Sequence, residues 1–279
     1  MKQPALVITP HNSAHVPSDI LAQMIGEDLF DRDARRARHR WLFDEGDPYT
    51  DVIFHSPQAH NLHATISRFV VDLNRHRDQQ GNNGVIKLTD FEERPLYPAD
   101  FVLSDEAREE RLRRYWDTFH GEIEACIMTH DLKLIVNGHS MQPKGPVIGP
   151  DQGKPRPAIT LMCATDEQGN KLPGNSHQSL AKDQANALME ILKKCFTDIV
   201  DSAEGLSRDI ALSRPWTTDE LSYRYSDPRR ERPVPGFGLE FNRALYLIYE
   251  DGEELPNELM VTELNQAFQK FLAEAIEVM

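Results

Sequence analysis

A chain of 279 residues, 39% apolar and 27% charged, can bury a large core as one α/β domain and carries no signature of global disorder. Its formal net charge of -14 repels phosphate backbones and excludes non-specific nucleic-acid binding as a role. No stretch approaches the length of a spanning helix, and the opening MKQPALVITPHNS breaks its apolar run too early for a signal peptide, so the expected setting is cytoplasmic, with no membrane partner.

In chain order, ALVIT (residues 5–9) is apolar and β-branched and stops at Pro10, which predicts a buried strand delivering His11 to a loop. RDARRARHR (32–40) reads as a solvated helix face, since arginine favours helices and no aromatic residues alternate with it. DEGDPYTDVIF (44–54) offers Asp44, Asp47 and Asp51, and its plain reading is an Asx-rich turn and helix start. ISRFVV (66–71) is a second strand candidate that runs into Asp72, Asn74 and Arg75.

Ser104 caps a helix whose apolar stripe is Leu112, Tyr115, Trp116, Phe119, Ile123 and Ile127. LKLIVN (132–137) is a third strand, followed by Gly138 and His139. A helix is predicted over 180–200, and another from about Thr262; LEFNRALYLI (239–248) mixes strand and helix signals. The stretches 76–104 and 141–178 are rich in Gly, Pro, Asn and Asp, a composition of connections that carry sites or lids. Cys126, Cys163 and Cys195 give no disulfide framework or paired metal motif; Cys126 and Cys195 read as small hydrophobes in helices. Strands separated by long helices predict an α/β sheet with helices on both faces and no domain boundary within 1–279.

In such a sheet the loops leaving the carboxyl ends of strands meet at the ligand crevice, which draws His11, Asn74, Arg75 and His139 together. Two histidines in that position suggest a metal, with imidazole and carboxylate donors favouring zinc. HExxH and HxxE are absent, so the acidic ligand lies elsewhere, and Asp44, Asp47 and Asp51 all remain open. Glu240 in FGLEFNR sits among apolar residues, where a carboxylate needs a purpose: a general base, or a salt bridge to Arg243.

The segments PHNSAHVP, DPYTDVIF, SRFVVDLNR, PLYP, RYWDTFHGEIE, NGHSM and LEFNRALY, in that order across about residues 5–250, resemble the N-formylglutamate amidohydrolase family. That resemblance implies a mixed central sheet flanked by helices, of the zinc-exopeptidase kind, and metal-dependent amide hydrolysis releasing formate and glutamate. It implies one Zn2+ on His11, His139 and an acidic residue, Asp47 first and Asp51 second, with Glu240 as general base. It further implies that Asn74 and Arg75 clamp the carboxylate of a small anionic N-acyl amino acid, a grip that suits guanidinium geometry. Arg68 shares a face with Asp72 and lies near the substrate or in a supporting salt bridge; Asp72 orients a ligand or an arginine. His120 is a packing or supporting histidine, and His15 a surface residue or an extra ligand.

Three departures from the family pattern stand out, one being HNSAH, where a glycine often follows the serine-like position. Asn137 occupies a position where an Asp commonly supports the neighbouring imidazole. The glycine-rich piece before the final glutamate is not evident in 214–238, where Arg214, Arg224 or Arg229 could instead read an anion. Alternative readings are a carboxypeptidase-type or other N-acyl amide hydrolase, and a non-catalytic binder of small anions.

Overall fold

The computed structural model describes residues 3–203, 205–250 and 253–279. Its helices are α1 (Ser18–Ile25), α2 (Arg32–Glu45), α3 (Thr50–Ile53), α4 (Asp105–Arg111), α5 (Asp117–Thr129), α6 (Lys182–Ser202), α7 (Glu220–Tyr225) and α8 (Glu258–Glu277). Strands β1 (Ala5–Thr9), β2 (Ala59–His63), β3 (Leu134–Met141), β4 (Ile159–Met162), β5 (Ile210–Leu212) and β6 (Gly236–Asn242) form one sheet, ordered β2-β1-β3-β6-β4-β5. β2, β1, β3 and β6 are mutually parallel; β4 runs antiparallel to β6 and parallel to β5. β7 (Leu247–Glu250) and β8 (Glu253–Pro256) form a separate hairpin.

The sheet is buried on both faces, which is why its central strands begin as unbroken apolar runs rather than alternating. Ala5 and Val7 of β1 join Leu134, Val136, Phe237, Leu239 and Phe241 under α6 and α8, while Leu6, Ile8 and Ile135 face α1, α5 and the loop after β2. Phe54 packs between Phe241 and Phe268, tilted to the first and edge-to-face with the second, at centroid distances of 4.9 and 5.0 Å, all three fully buried. Truncating Phe268 to Ala would cost roughly 3–5 kcal/mol. Gly138 makes this packing feasible, because a Cβ there would stand 2.3 Å from the Phe54 ring.

The mixed sheet with flanking helices agrees with the sequence reading, but its strands come partly from other places. ISRFVV forms no strand. Ser67 turns the chain, accepting from Val70 N at 2.9 Å, and Ile66, Phe69, Val70 and Val71 are buried as a folded loop beside α1 and α5. The strand beside β1 is instead AHNLH, an edge strand half-buried over most of its length and hence polar in sequence. β4 and β5 are too short for a periodic signal. Residues 239–248 divide into the end of β6, a 3-10 turn (Arg243–Leu245) and the start of β7. The helix after Ser104 is continuous but contains a π turn at Leu112–Trp116, which keeps Leu112, Trp116, Phe119 and Ile123 all buried. Among the described residues, no helix is long and apolar enough to cross a membrane.

Candidate active site

The carboxyl ends of β1, β3 and β6 open onto one edge of the sheet, where the chain leaves β1 towards β2 on one side and β3 on the other. Such a switch point forms a crevice by topology alone. His11 follows β1, His139 lies on β3, and Glu240 pairs with His139 across the β3–β6 ladder. Asp47 comes from the turn between α2 and α3, tied to the first histidine by its backbone N–H donating to His11 O at 2.9 Å.

Three side chains converge. His11 Nδ1 and His139 Nδ1 each stand 3.1 Å from Asp47 Oδ2, with the two rings 5.0 Å apart, and all three residues are buried. The outer nitrogens are held as well: His11 Nε2 lies 2.8 Å from Asp72 Oδ1, and His139 Nε2 lies 3.2 Å from Asp219 Oδ1. A ring that donates its Nε2–H to a carboxylate turns its Nδ1 lone pair inward.

The two outer carboxylates are supported differently. Asp72 Oδ2 accepts from Arg68 Nη2 at 2.9 Å and lies 3.2 Å from Lys87 Nζ, in a site closed to solvent. Asp219 caps α7, accepting from Ser222 N at 2.8 Å, and receives Asn74 Nδ2 and Asn137 Nδ2 at 2.7 Å each. Gly238 leaves room for it, since a Cβ there would sit 2.8 Å from Asp219 Cβ.

The electrostatics follow. Burial would raise the Asp47 and Asp72 pKa values, but His11 and its hydrogen bond on the first, and Arg68 with His11 and Lys87 on the second, hold both well below the usual range. Burial and then Arg68 push His11 down against its two carboxylates. Burial would also lower His139, yet its bonds to Asp219 and Asp47 push it up to about 10. Glu240 Oε2 is buried without a hydrogen-bond partner. Burial, helped by the Asp47 charge, lifts that carboxyl to about 7 against the pull of His139, Arg156 and Arg68.

His11, Asp47, His139 and Glu240 line a cavity of about 820 Å³, whose wall also takes in residues of the 143–150 segment and Trp216. Arg68 and Arg75 both face it, and each keeps a buried Nε without a partner. Arg75 is braced by Asn74 O and Asn83 Oδ1 at 2.9 and 3.1 Å, while Arg156 is held bidentately by Asp151 and lies over Trp216.

The N-formylglutamate amidohydrolase family model matches residues 3–247. The chain belongs to that family. The N-formylglutamate amidohydrolase of Ralstonia eutropha JMP134 has a similar structure, at 18% identity and a TM-score of 0.67 over 99% of this chain and 94% of that one. A gene product of Agrobacterium tumefaciens is similar at 16% identity and a TM-score of 0.59, over 98% and 92%. At these identities the likeness concerns the fold. No protein of curated function matches the chain by sequence. The buried His11–Asp47–His139 group fits a metal ion on its own chemistry: two imidazole nitrogens and a carboxylate oxygen lie within 4.8 Å of one another, with both outer nitrogens held by carboxylates.

Of the three acidic candidates, the structure brings Asp47 to the histidines. Asp44 pairs with Arg40 at 2.9 Å, and Asp51 sits in the first turn of α3. Arg243 does not pair with Glu240; it donates to the backbone carbonyls of Asp44 and Gly46 and to Ser140 Oγ. Asn74 lines the cavity, but its amide is spent on Asp219 and on Leu221 N, which donates to Oδ1 at 3.1 Å. His15 is exposed, and His120 packs on Trp116 between Leu73 O and Tyr225 Oη.

The anion-reading role entertained for Arg214, Arg224 and Arg229 fails on placement. They pair with Asp209, Glu220 and Asp227, and none lines the cavity. That segment contributes Trp216, Thr218 and Asp219 instead. Asp219 went unread because a carboxylate before a short helix looks like an ordinary cap. Its signals were Asn137, which left an imidazole without its expected support, and Gly238 on the facing strand.

Proposed function

We propose that this cavity hydrolyses the amide bond of a small anionic N-acyl amino acid, with N-formylglutamate, yielding formate and glutamate, as the preferred substrate. His11, Asp47 and His139 would hold a divalent ion, zinc by ligand type, which when bound lowers the pKa of water and polarises an acyl oxygen. The observation that carries this reading is the unpartnered, buried Glu240 Oε2 on the strand beside His139. A carboxyl with a proton affinity near neutrality can take a proton from the attacking water and return it to the leaving nitrogen.

Arg75 is assigned the substrate carboxylate, its guanidinium facing the cavity with an unused Nε. Asn74 acts through its own backbone carbonyl, which accepts from the Arg75 guanidinium, and through Asp219 rather than by direct grip, and Arg68 balances Asp72 while presenting its own Nε to the acyl end. A second reading, hydrolysis of a bulkier N-acyl or dipeptide-like acid, draws on the cavity volume, near the upper end for small-molecule sites.

The test is formate release from N-formylglutamate before chelation, after chelation, and after zinc is restored. Loss and recovery of turnover support the first reading. Chelator-sensitive turnover confined to larger N-acyl acids supports the second, and turnover unaffected by complete metal removal contradicts both.

A further inference from the structure

A second group of ligand-type side chains lies apart from the cavity, where the edge strand β2 meets the end of α5. His60 lies on β2, in register with Leu6 of β1. Cys126 and His130 are one helical turn apart, His130 being the residue at which α5 ends. One ring nitrogen of each histidine and Cys126 Sγ all lie within 4.8 Å of one another.

The two imidazoles are prepared for a shared ligand. Their ring centroids are 3.9 Å apart, too close for both to carry charge comfortably, and burial together with His130 lowers the His60 pKa. Neither ring nitrogen of His60 has a hydrogen-bond partner among the described residues. His130 Nδ1 lies 3.1 Å from Cys126 O; donation to that carbonyl leaves the Nε2 lone pair outward. Cys126 is half-buried.

We propose that His60, Cys126 and His130 form a second, sulfur-containing site for a divalent transition ion of the zinc kind, with a fourth position open to water. Thiolate and imidazole donors select such ions over magnesium or calcium. Binding forms the metal–sulfur bond and releases the thiol proton to solvent. Tetrahedral bonds need the donor atoms about 3.5 Å apart. The exposed His130 side chain closes that gap by rotation. The ion would clamp the outermost strand of the sheet to the helix that covers it.

The experiment is a Co2+ titration of the metal-free full chain, read in the near ultraviolet where thiolate-to-cobalt charge transfer absorbs. His11, Asp47 and His139 contain no sulfur, so the band reports the second site alone. The parent chain should bind two equivalents, one producing the band. Cys126→Ser, with its fold checked by circular dichroism, should lose the band and one equivalent while keeping amide hydrolysis. His60→Ala should weaken the band-forming equivalent at least tenfold. Absence of a band from the parent overturns the proposal and leaves the first site standing, as does a band that survives Cys126→Ser. A band at one equivalent in all keeps the sulfur site and removes the other.

Discussion

The two imidazoles that flank Asp47 are anchored in opposite ways. His11 leans on Asp72, which is balanced by the buried cations Arg68 and Lys87. His139 leans on Asp219, which rests among the amides of Asn74 and Asn137 and the hydroxyl of Ser222. The bond to the ring is the same, but the energetics are not. Removing one member of a buried ion cluster leaves the others uncompensated, whereas altering a carboxylate held mostly by neutral donors leaves hydrogen bonds unmet. The His11 side should therefore decide stability, and the His139 side should tune metal affinity.

The largest expected effect separates the two directly. Asp72→Asn strands two buried cations and should lower the unfolding free energy by about 3–5 kcal/mol in a urea titration. Burial already depresses Lys87 to about 7, so loss of its proton places the result towards the lower end. A change within 1 kcal/mol (on the order of a surface substitution) would remove the charge-cluster side of the comparison.

Asp219→Asn should do the reverse. Asparagine still caps the helix, but its amide nitrogen replaces one of two oxygens that accept from Asn74, Asn137 and Ser222, so stability should fall by about 1–3 kcal/mol, less than at Asp72. Metal affinity, measured by competition with a chelating dye, should fall about 10–100-fold because the carboxylate that orients His139 is gone. Equal affinity in parent and variant would make Asp219 a cap and nothing more.

Arg75→Lys leaves both anchors in place. It should lower kcat/KM about tenfold or more with metal affinity unchanged, since an ammonium cannot reproduce the two parallel bonds of a guanidinium. Unchanged kinetics would return Arg75 to a purely structural role.

A pH-dependent effect concerns the segment common to both anchors. His120 Nε2 lies 3.1 Å from Leu73 O, between Asp72 and Asn74, and its Nδ1 lies 2.7 Å from Tyr225 Oη of α7. Burial, with Arg224 nearby, pushes His120 down to about 3 from an ordinary value of 6.5. Between those values the unfolded chain binds a proton that the folded chain does not, so this residue's contribution is present above pH 6.5 and lost as pH falls towards 3. The slope approaches about 1.4 kcal/mol per pH unit within the window. Urea titrations at several pH values should show it in the parent and a shallower slope in His120→Gln.

Much of the sheet was legible where strands are buried on both faces. ALVIT, LKLIVN and the start of LEFNRALYLI fall on β1, β3 and β6, the three strands that carry or precede His11, His139 and Glu240. The edge escaped, because a half-buried strand such as AHNLH needs few apolar side chains, and three- or four-residue strands carry no period. ISRFVV misled for the converse reason: apolar burial without pairing looks the same in sequence. At the site, residues at strand ends could be read from order and position. Asp219 was harder to read, standing 82 positions from the Asn137 it touches.

The central claim is that Glu240 moves protons beside a metal held by His11, Asp47 and His139. It is tested most directly by Glu240→Gln, with metal at the His11–His139 site and formate release from N-formylglutamate measured on the same preparation. The account predicts full metal occupancy at that site with kcat reduced by about 10²–10⁴-fold. Unchanged turnover at full occupancy would contradict it.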